Sequence, residues 1–173
     1  MKRNNAIELG LTIPLQRHLR IKALLDRQEP DRRFCWDLHV IPLRGQPSLL
    51  AVHCHTRYTF VLYDLNRLEW ERLPDVFLDG LRLSLSSAGF PAETTKELCS
   101  LELPLLTRTH GRREVAFLNR AWEDVTAAEL ALDESGQSQS LLDQLVNAKL
   151  SRCAGIEGLD TAAKRLTEML SQI

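Results

Sequence analysis

The residues with ligand chemistry in this chain are Asp37, His39, His53 and His55, which lie on two alternating segments either side of the turn Arg44-Gly45-Gln46-Pro47. Three of the five histidines are among them. In the segment from Cys35 to Leu43, alternation sets Trp36, Leu38 and Val40 on one side and Asp37, His39 and Ile41 on the other. From Ser48 to Tyr63 the even positions Leu50, Val52, Cys54, Thr56, Tyr58, Phe60 and Leu62 form the buried side of a strand, which leaves His53 and His55 opposite. A register that keeps the two buried sides together puts His39 across from His53 and Asp37 across from His55, at cross-strand Cβ separations of about 4.5–5.5 Å. A slip of two residues preserves the alternation but changes every partner.

Two imidazoles from one strand and a third from its neighbour could converge on a divalent metal such as zinc, with Asp37 orienting His55 from behind. Three protein ligands leave a coordination position open, the arrangement of a small metal-dependent hydrolase or oxygenase. Otherwise His39, His53 and His55 are ordinary side chains of a half-exposed sheet, and the protein needs no cofactor. Ile41, Leu49, Ala51, Val61 and Tyr63 share their side, so a covering helix fits the pattern as well as an open site does.

A second candidate is the basic segment Thr107-Arg108-Thr109-His110-Gly111-Arg112-Arg113, which joins an expected strand to a helix beginning near Arg113 or Glu114. Arginines are disfavoured beside the positive end of a helix, so an anion is expected to share the place. Glu114 could be that anion. Alternatively a phosphate, nucleotide or RNA contact would use Arg108, His110, Gly111, Arg112 and Arg113, with Arg17 and Arg20 as a possible extension. No Gly-x-Gly-x-x-Gly, phosphate-binding Gly-Lys-Ser/Thr loop or Gly-x-Ser-x-Gly elbow occurs. The carboxylates Glu69, Glu71, Asp75 and Asp79 are spaced as the solvated side of a helix.

The elements that must hold these groups follow from periodicity and punctuation. Residues 6–11 read as a short strand, after which Thr12 caps a helix with Pro14 in its first turn. Asp26 to Arg33 is a polar loop around Pro30. Beyond the histidine hairpin, helices are expected over Leu65–Leu73, from Pro74 to a stop at Gly89, and from Ala92 to Cys99, then a strand around Leu103 to Thr109. Val115, Leu118, Trp122 and Val125 mark one buried stripe of the following helix. Asp133 to Gln139 is a linker, and the stripes Leu141, Leu142, Leu145, Lys149 and then Ala163, Leu166, Leu170 predict a terminal helical hairpin over 137–173. The sum is a single α+β domain over 1–173, with a mostly antiparallel sheet of about 4–5 strands and helices packed on it.

Composition bounds the function without naming it. At 173 residues, 44% hydrophobic, 26% charged and net −1, the chain builds an ordinary core and carries no polycationic surface, so nucleic acid is not favoured as a partner. Cys35, Cys54, Cys99 and Cys153 lack any Cys-x-x-Cys spacing, which suggests reduced thiols and a cytoplasmic protein. No apolar run approaches the roughly 18 residues of a membrane span.

The strand-helix opening, Trp36-Asp37-Leu38-His39, His55-Thr56-Arg57-Tyr58, Phe77-Leu78-Asp79-Gly80-Leu81 and Thr107 through Asn119 together resemble an uncharacterised prokaryotic family catalogued as a domain of unknown function. In its Arg-x-x-x-Gly-x-x-Asn stretch Arg112 and Asn119 match, while Ala116 stands where Gly is usual. The resemblance implies a mixed single domain and a cytoplasmic location, and contributes no activity. With amphipathic elements and no complete catalytic set, the leading expectation is a non-catalytic interaction or regulatory module that self-associates or binds a protein partner. The metal-dependent enzyme and the RNA- or nucleotide-binding module are the alternatives.

Overall fold

The computed structural model describes residues 6–99 and 102–172. The alternating segments form β2 (Cys35–Leu43) and β3 (Gln46–His53) of a five-stranded sheet that also contains β1 (Glu8–Leu11), β4 (Thr59–Leu62) and β5 (Leu105–Arg108), in the order β4-β3-β2-β1-β5. The α+β architecture is the one the sequence predicts, but the sheet is mixed rather than mostly antiparallel. β2, β3 and β4 pair antiparallel through tight turns, whereas β1 lies parallel to both β2 and β5. Parallel pairing needs a long crossover. The first crossover runs through α1 (Ile13–Leu19), and the second through α2 (Arg67–Glu71), α3 (Leu73–Ser87) and α4 (Ala92–Cys99).

The turn between β2 and β3 decides which residues share a face. Arg44 and Gly45 both have positive φ, 46° and 78°, the conformation of a two-residue hairpin turn, and Leu43 pairs directly with Gln46. The turn is two residues long, not four. Consequently Trp36 lies opposite His53, Asp37 opposite Val52 and His39 opposite Leu50, so odd residues of β2 share a face with even residues of β3. The expected strand from Ser48 to Tyr63 is also broken: Arg57 N–H donates to His53 O (2.9 Å) and His53 N–H to Tyr58 O (2.8 Å), closing a turn between β3 and β4.

On one face Leu9, Trp36, Leu38, Leu49, Phe60 and Leu62 meet Phe77, Leu81 and Leu85 of α3. Trp36 is wedged edge-on against Phe77 and Phe60, at centroid distances of 5.4 and 5.6 Å. On the other face Leu50, Val52 and Val61 are covered by α5 (Arg112–Ala127), through Phe117, Leu118, Ala121 and Val125, and by α6 (Ser140–Asn147). Each such side chain contributes about 1.5–3 kcal/mol by leaving water.

α6 also closes the sheet's open edge. Asn147 accepts from Thr59 N–H (2.8 Å) and donates to Thr59 O (2.7 Å), and one turn earlier Asp143 accepts from Val61 N–H (3.0 Å). Side chains thereby complete the hydrogen bonding of β4, beyond which no further strand lies among the described residues. The expected terminal helical hairpin is interrupted, because α6 and α7 (Ala162–Leu170) are separated by an antiparallel pair, β6 (Leu150–Cys153) and β7 (Ile156–Thr161). Both strands are largely exposed and lack an apolar face, so they carry none of the alternation that reveals a strand. No helix among the described residues is long and apolar enough to cross a membrane.

Candidate functional site

The register disperses the histidine quartet. His39 shares Asp37's face, where its Nδ1 is hydrogen-bonded to Thr12 Oγ1 (2.6 Å) and its ring stands edge-on to Trp122. His53 lies on the opposite face beside Trp36, bound at Nδ1 to Thr56 Oγ1 (2.8 Å) and at Nε2 to Arg33 O (2.9 Å). Burial pushes the His53 pKa down to about 4. A neutral ring satisfies both contacts, with Nε2–H donating to the carbonyl and Nδ1 accepting from the hydroxyl. His55 sits half-buried in the β3–β4 turn, its ring 6.4 Å from that of His53. The three imidazoles therefore do not converge, and Asp37 does not orient His55. The expected and observed partners of His39, His53 and Leu50, are three residues apart, and an odd slip exchanges the faces of a strand.

Asp37 instead meets His110. Parallel pairing of β1 with β2 places Glu8 beside Cys35 and Gly10 beside Asp37, all on the face covered by α5. Past the end of β5 the chain folds back across β1 at Gly10. A Cβ there would collide with the Asp37 carboxylate and would lie 2.8 Å from Thr109 Cα and 2.9 Å from Arg108 O. With only hydrogen at that point, the β5–α5 loop drops His110 between two carboxylates. Its Nδ1 is 2.6 Å from Asp37 Oδ1 and its Nε2 is 3.2 Å from Glu8 Oε2, while its backbone N–H donates to the Asp37 carboxylate at 3.2–3.3 Å. Glu8 is held in turn by the N–H groups of Gln28 (2.5 Å) and Glu29 (2.9 Å) on its other oxygen. Cys54, just past β3, brings its Sγ to 3.7 Å from His110 Nδ1.

All of these groups are shut away from water: Glu8, Cys35, Asp37, Cys54 and His110 are each no more than 3% exposed. Burial opposes a charge on His110, but hydrogen bonding to Asp37 and to Cys35, with the attraction of Asp37, outweighs it, and its pKa is pushed up to about 10. Burial likewise raises Asp37, with His110 acting against the rise. The balance we assign is an imidazolium between carboxylates, since each partner stabilises the other's charge. Burial drives the Cys54 thiol strongly up, which leaves it protonated. Cys35, likewise beside His110, also donates to the backbone carbonyls of Asp31 (3.5 Å) and Glu29 (3.8 Å). The donor atoms form two overlapping trios, Asp37/Cys54/His110 and Glu8/Cys35/His110, each with its atoms within 4.8 Å of one another.

The basic loop is split by the same fold. His110 turns inward, Gly111 caps α5 at a φ of 144° that glycine accommodates, and Arg108 and Arg112 are exposed. Arg113 lies 3.5 Å from Glu114, which also binds Arg32 (3.2 Å), and Arg32 donates to His110 O (2.8 Å). The anions at the α5 N-terminus are thus the chain's own Asp37 and Glu114. Sequence reading missed Glu8, Cys35 and Cys54 as neighbours of His110, whereas Glu114 is the anion it expected at this helix start. Gly10, alone in the middle of a strand, was the signal of a close backbone approach.

A protein-family model, described as Domain of unknown function (DUF6933), matches residues 8–156. That span runs from Glu8 through α6 and into β7 and contains every residue of the buried cluster. No curated protein matches the chain.

Proposed function

The chain belongs to that family of unknown function, and we propose that it holds one divalent transition-metal ion, of the zinc class, between Asp37, Cys54 and His110. The observation that carries this reading is the division of labour around His110. Its Nδ1 faces Asp37 Oδ1 and Cys54 Sγ, while Nε2 is engaged by a Glu8 carboxylate that two backbone N–H groups hold in place. A ligating imidazole fixed from behind by a carboxylate has its orientation set before the metal arrives, and loss of the Nδ1 proton leaves the Nε2–H tautomer that this carboxylate holds. A nitrogen, an oxygen and a sulfur donor suit zinc better than the hard cations calcium or magnesium. Binding releases the protons of Nδ1 and of the Cys54 thiol, and the ion's charge then compensates a buried thiolate.

The ion serves structure rather than turnover. Its donors come from β2, the β3–β4 turn and the β5–α5 loop, segments far apart in sequence, and their burial keeps substrate away. This supports a non-catalytic module, with the metal fastening the layer on which α5 rests. Four buried free cysteines support a reducing, cytoplasmic setting for it. Cobalt(II) reports on the assignment directly. Metal-free protein titrated with Co²⁺ is expected to develop a thiolate-to-cobalt absorption band that survives Cys35→Ala and disappears in Cys54→Ala. A band that survives both variants, or none in the unaltered protein, would rule the site out.

A further inference from the structure

Away from the buried cluster, a cleft of about 530 Å³ opens between α5, α6 and the β6–β7 hairpin. Its lining holds Arg57, Arg120, Lys149 and Arg152 against one carboxylate, Asp124. Four cations less one anion give the walls a net +3 in a chain whose formal charge is −1. Lys149 is 2.6 Å from Asp124, so that carboxylate is already taken and the three guanidinium groups are left. A fourth, Arg165, lies behind the wall, 3% exposed, and is bonded to Ser151 O, Ser151 Oγ, Thr56 O and Asp160 O. All four of those acceptors are neutral, so they satisfy its donors without cancelling its charge.

Arg57 is set in place with care. Its backbone is left-handed, at a φ of 66°, which costs an arginine about 1 kcal/mol or more. Its guanidinium lies 5.0 Å above the Phe117 ring and donates to Arg152 O at 2.6 Å. Among the described residues no other hydrogen bond engages that fork, and its remaining donors line the cleft. Like charges gathered in a half-enclosed space raise one another's energy, and an anion bound among them relieves it.

We propose that this cleft binds a small phosphorylated metabolite, its phosphate gripped by Arg57, Arg120 and Arg152. Guanidinium forks match phosphate oxygens two at a time, and the volume lies within the range of small-molecule sites. Leu150 and Leu159 supply an apolar wall for the rest of the ligand. No aromatic side chain lines the cleft among the described residues, so the stacking platforms of a single-stranded nucleic-acid site are not part of it.

Titration calorimetry with inorganic pyrophosphate and glycerol 3-phosphate, at about 50 and about 300 mM salt, tests this. The expected result is saturable one-site binding of at least one probe that weakens as salt rises. In Arg120→Ala and in Arg152→Ala, both exposed side chains whose loss leaves the circular dichroism unchanged, affinity should drop about tenfold or more. Failure of both probes to bind saturably at millimolar concentration overturns the proposal, as does unchanged binding in the two variants. A short RNA bound more tightly than either probe, and lost with the same variants, overturns the small-ligand assignment.

Discussion

Gly10 and His110 make the buried cluster possible, and neither acts through the chemistry its residue type usually suggests. Gly10 contributes absence: the space of one Cβ is occupied by the Asp37 carboxylate and by the backbone of Arg108 and Thr109. Gly10→Ala should therefore destabilise the protein by about 2 kcal/mol or more in urea unfolding, by overpacking, and should abolish Co²⁺ binding. Retention of both would mean that the loop does not need to cross the strand there. At this scale the sequence revealed the residue types better than their partners. Asp37 was legible as a group that orients a histidine, but its partner lies 73 positions along the chain, joined by pairings no local pattern encodes. His39 and His53 looked alike in sequence, yet one is hydrogen-bonded to Thr12 and the other is a neutral anchor beside Trp36.

Among the elements, the two-residue turn at Arg44-Gly45 and the helix α6 do most to set the architecture. The turn was visible as a Gly-containing break, but the register drawn across it, His39 opposite His53, stands three residues from the observed His39 opposite Leu50, and that odd offset exchanged the faces of His53 and His55. α6 was legible as a helix by its leucines, although Asp143 and Asn147, a pair that looks solvated, are buried against the β4 edge. Asn147→Ala should cost about 2–4 kcal/mol by thermal or chemical unfolding, because the N–H and C=O of Thr59 both lose their partner in a dry setting. Asp143 gives a pH signature. Burial holds its carboxyl well above the usual carboxylate range, so the folded state keeps a proton that the unfolded chain releases above about pH 4. Stability from this group is fully present below that pH and falls as pH rises toward the folded value, since the unfolded state then binds fewer protons. Asp143→Asn should remove this slope. The variant's melting temperature, compared with the unaltered protein between pH 4.5 and 7.5, should gain steadily with pH, and a constant difference would show that Asp143 is ionised in the fold.

Over the whole molecule, the α+β class, the histidine hairpin, the helix stops and the strand before α5 could all be read from period and punctuation. The position of β1 between β2 and β5 could not, because parallel pairing joins segments separated by an entire crossover, and only the folded chain shows that Glu8, Asp37 and His110 share a face. The largely exposed β6–β7 hairpin escaped for the opposite reason: of its strand residues Cys153 alone is buried, too little to impose alternation. The sheet and the helical layer over it meet through Leu50, Val52 and Val61 against the apolar side of α5, and the polar centre on that same face is where the proposed metal ion would tie β2, the β3–β4 turn and the β5–α5 loop together. The most direct measurement is the metal content of protein purified without an affinity tag, by mass spectrometry, with its melting temperature before and after chelation. About one zinc-class ion per chain, lost in Cys54→Ala, kept in Cys35→Ala and accompanied by a lower melting temperature on removal, is the predicted result. Protein that carries no stoichiometric metal, takes up none when zinc is supplied and melts identically with and without chelator would contradict it.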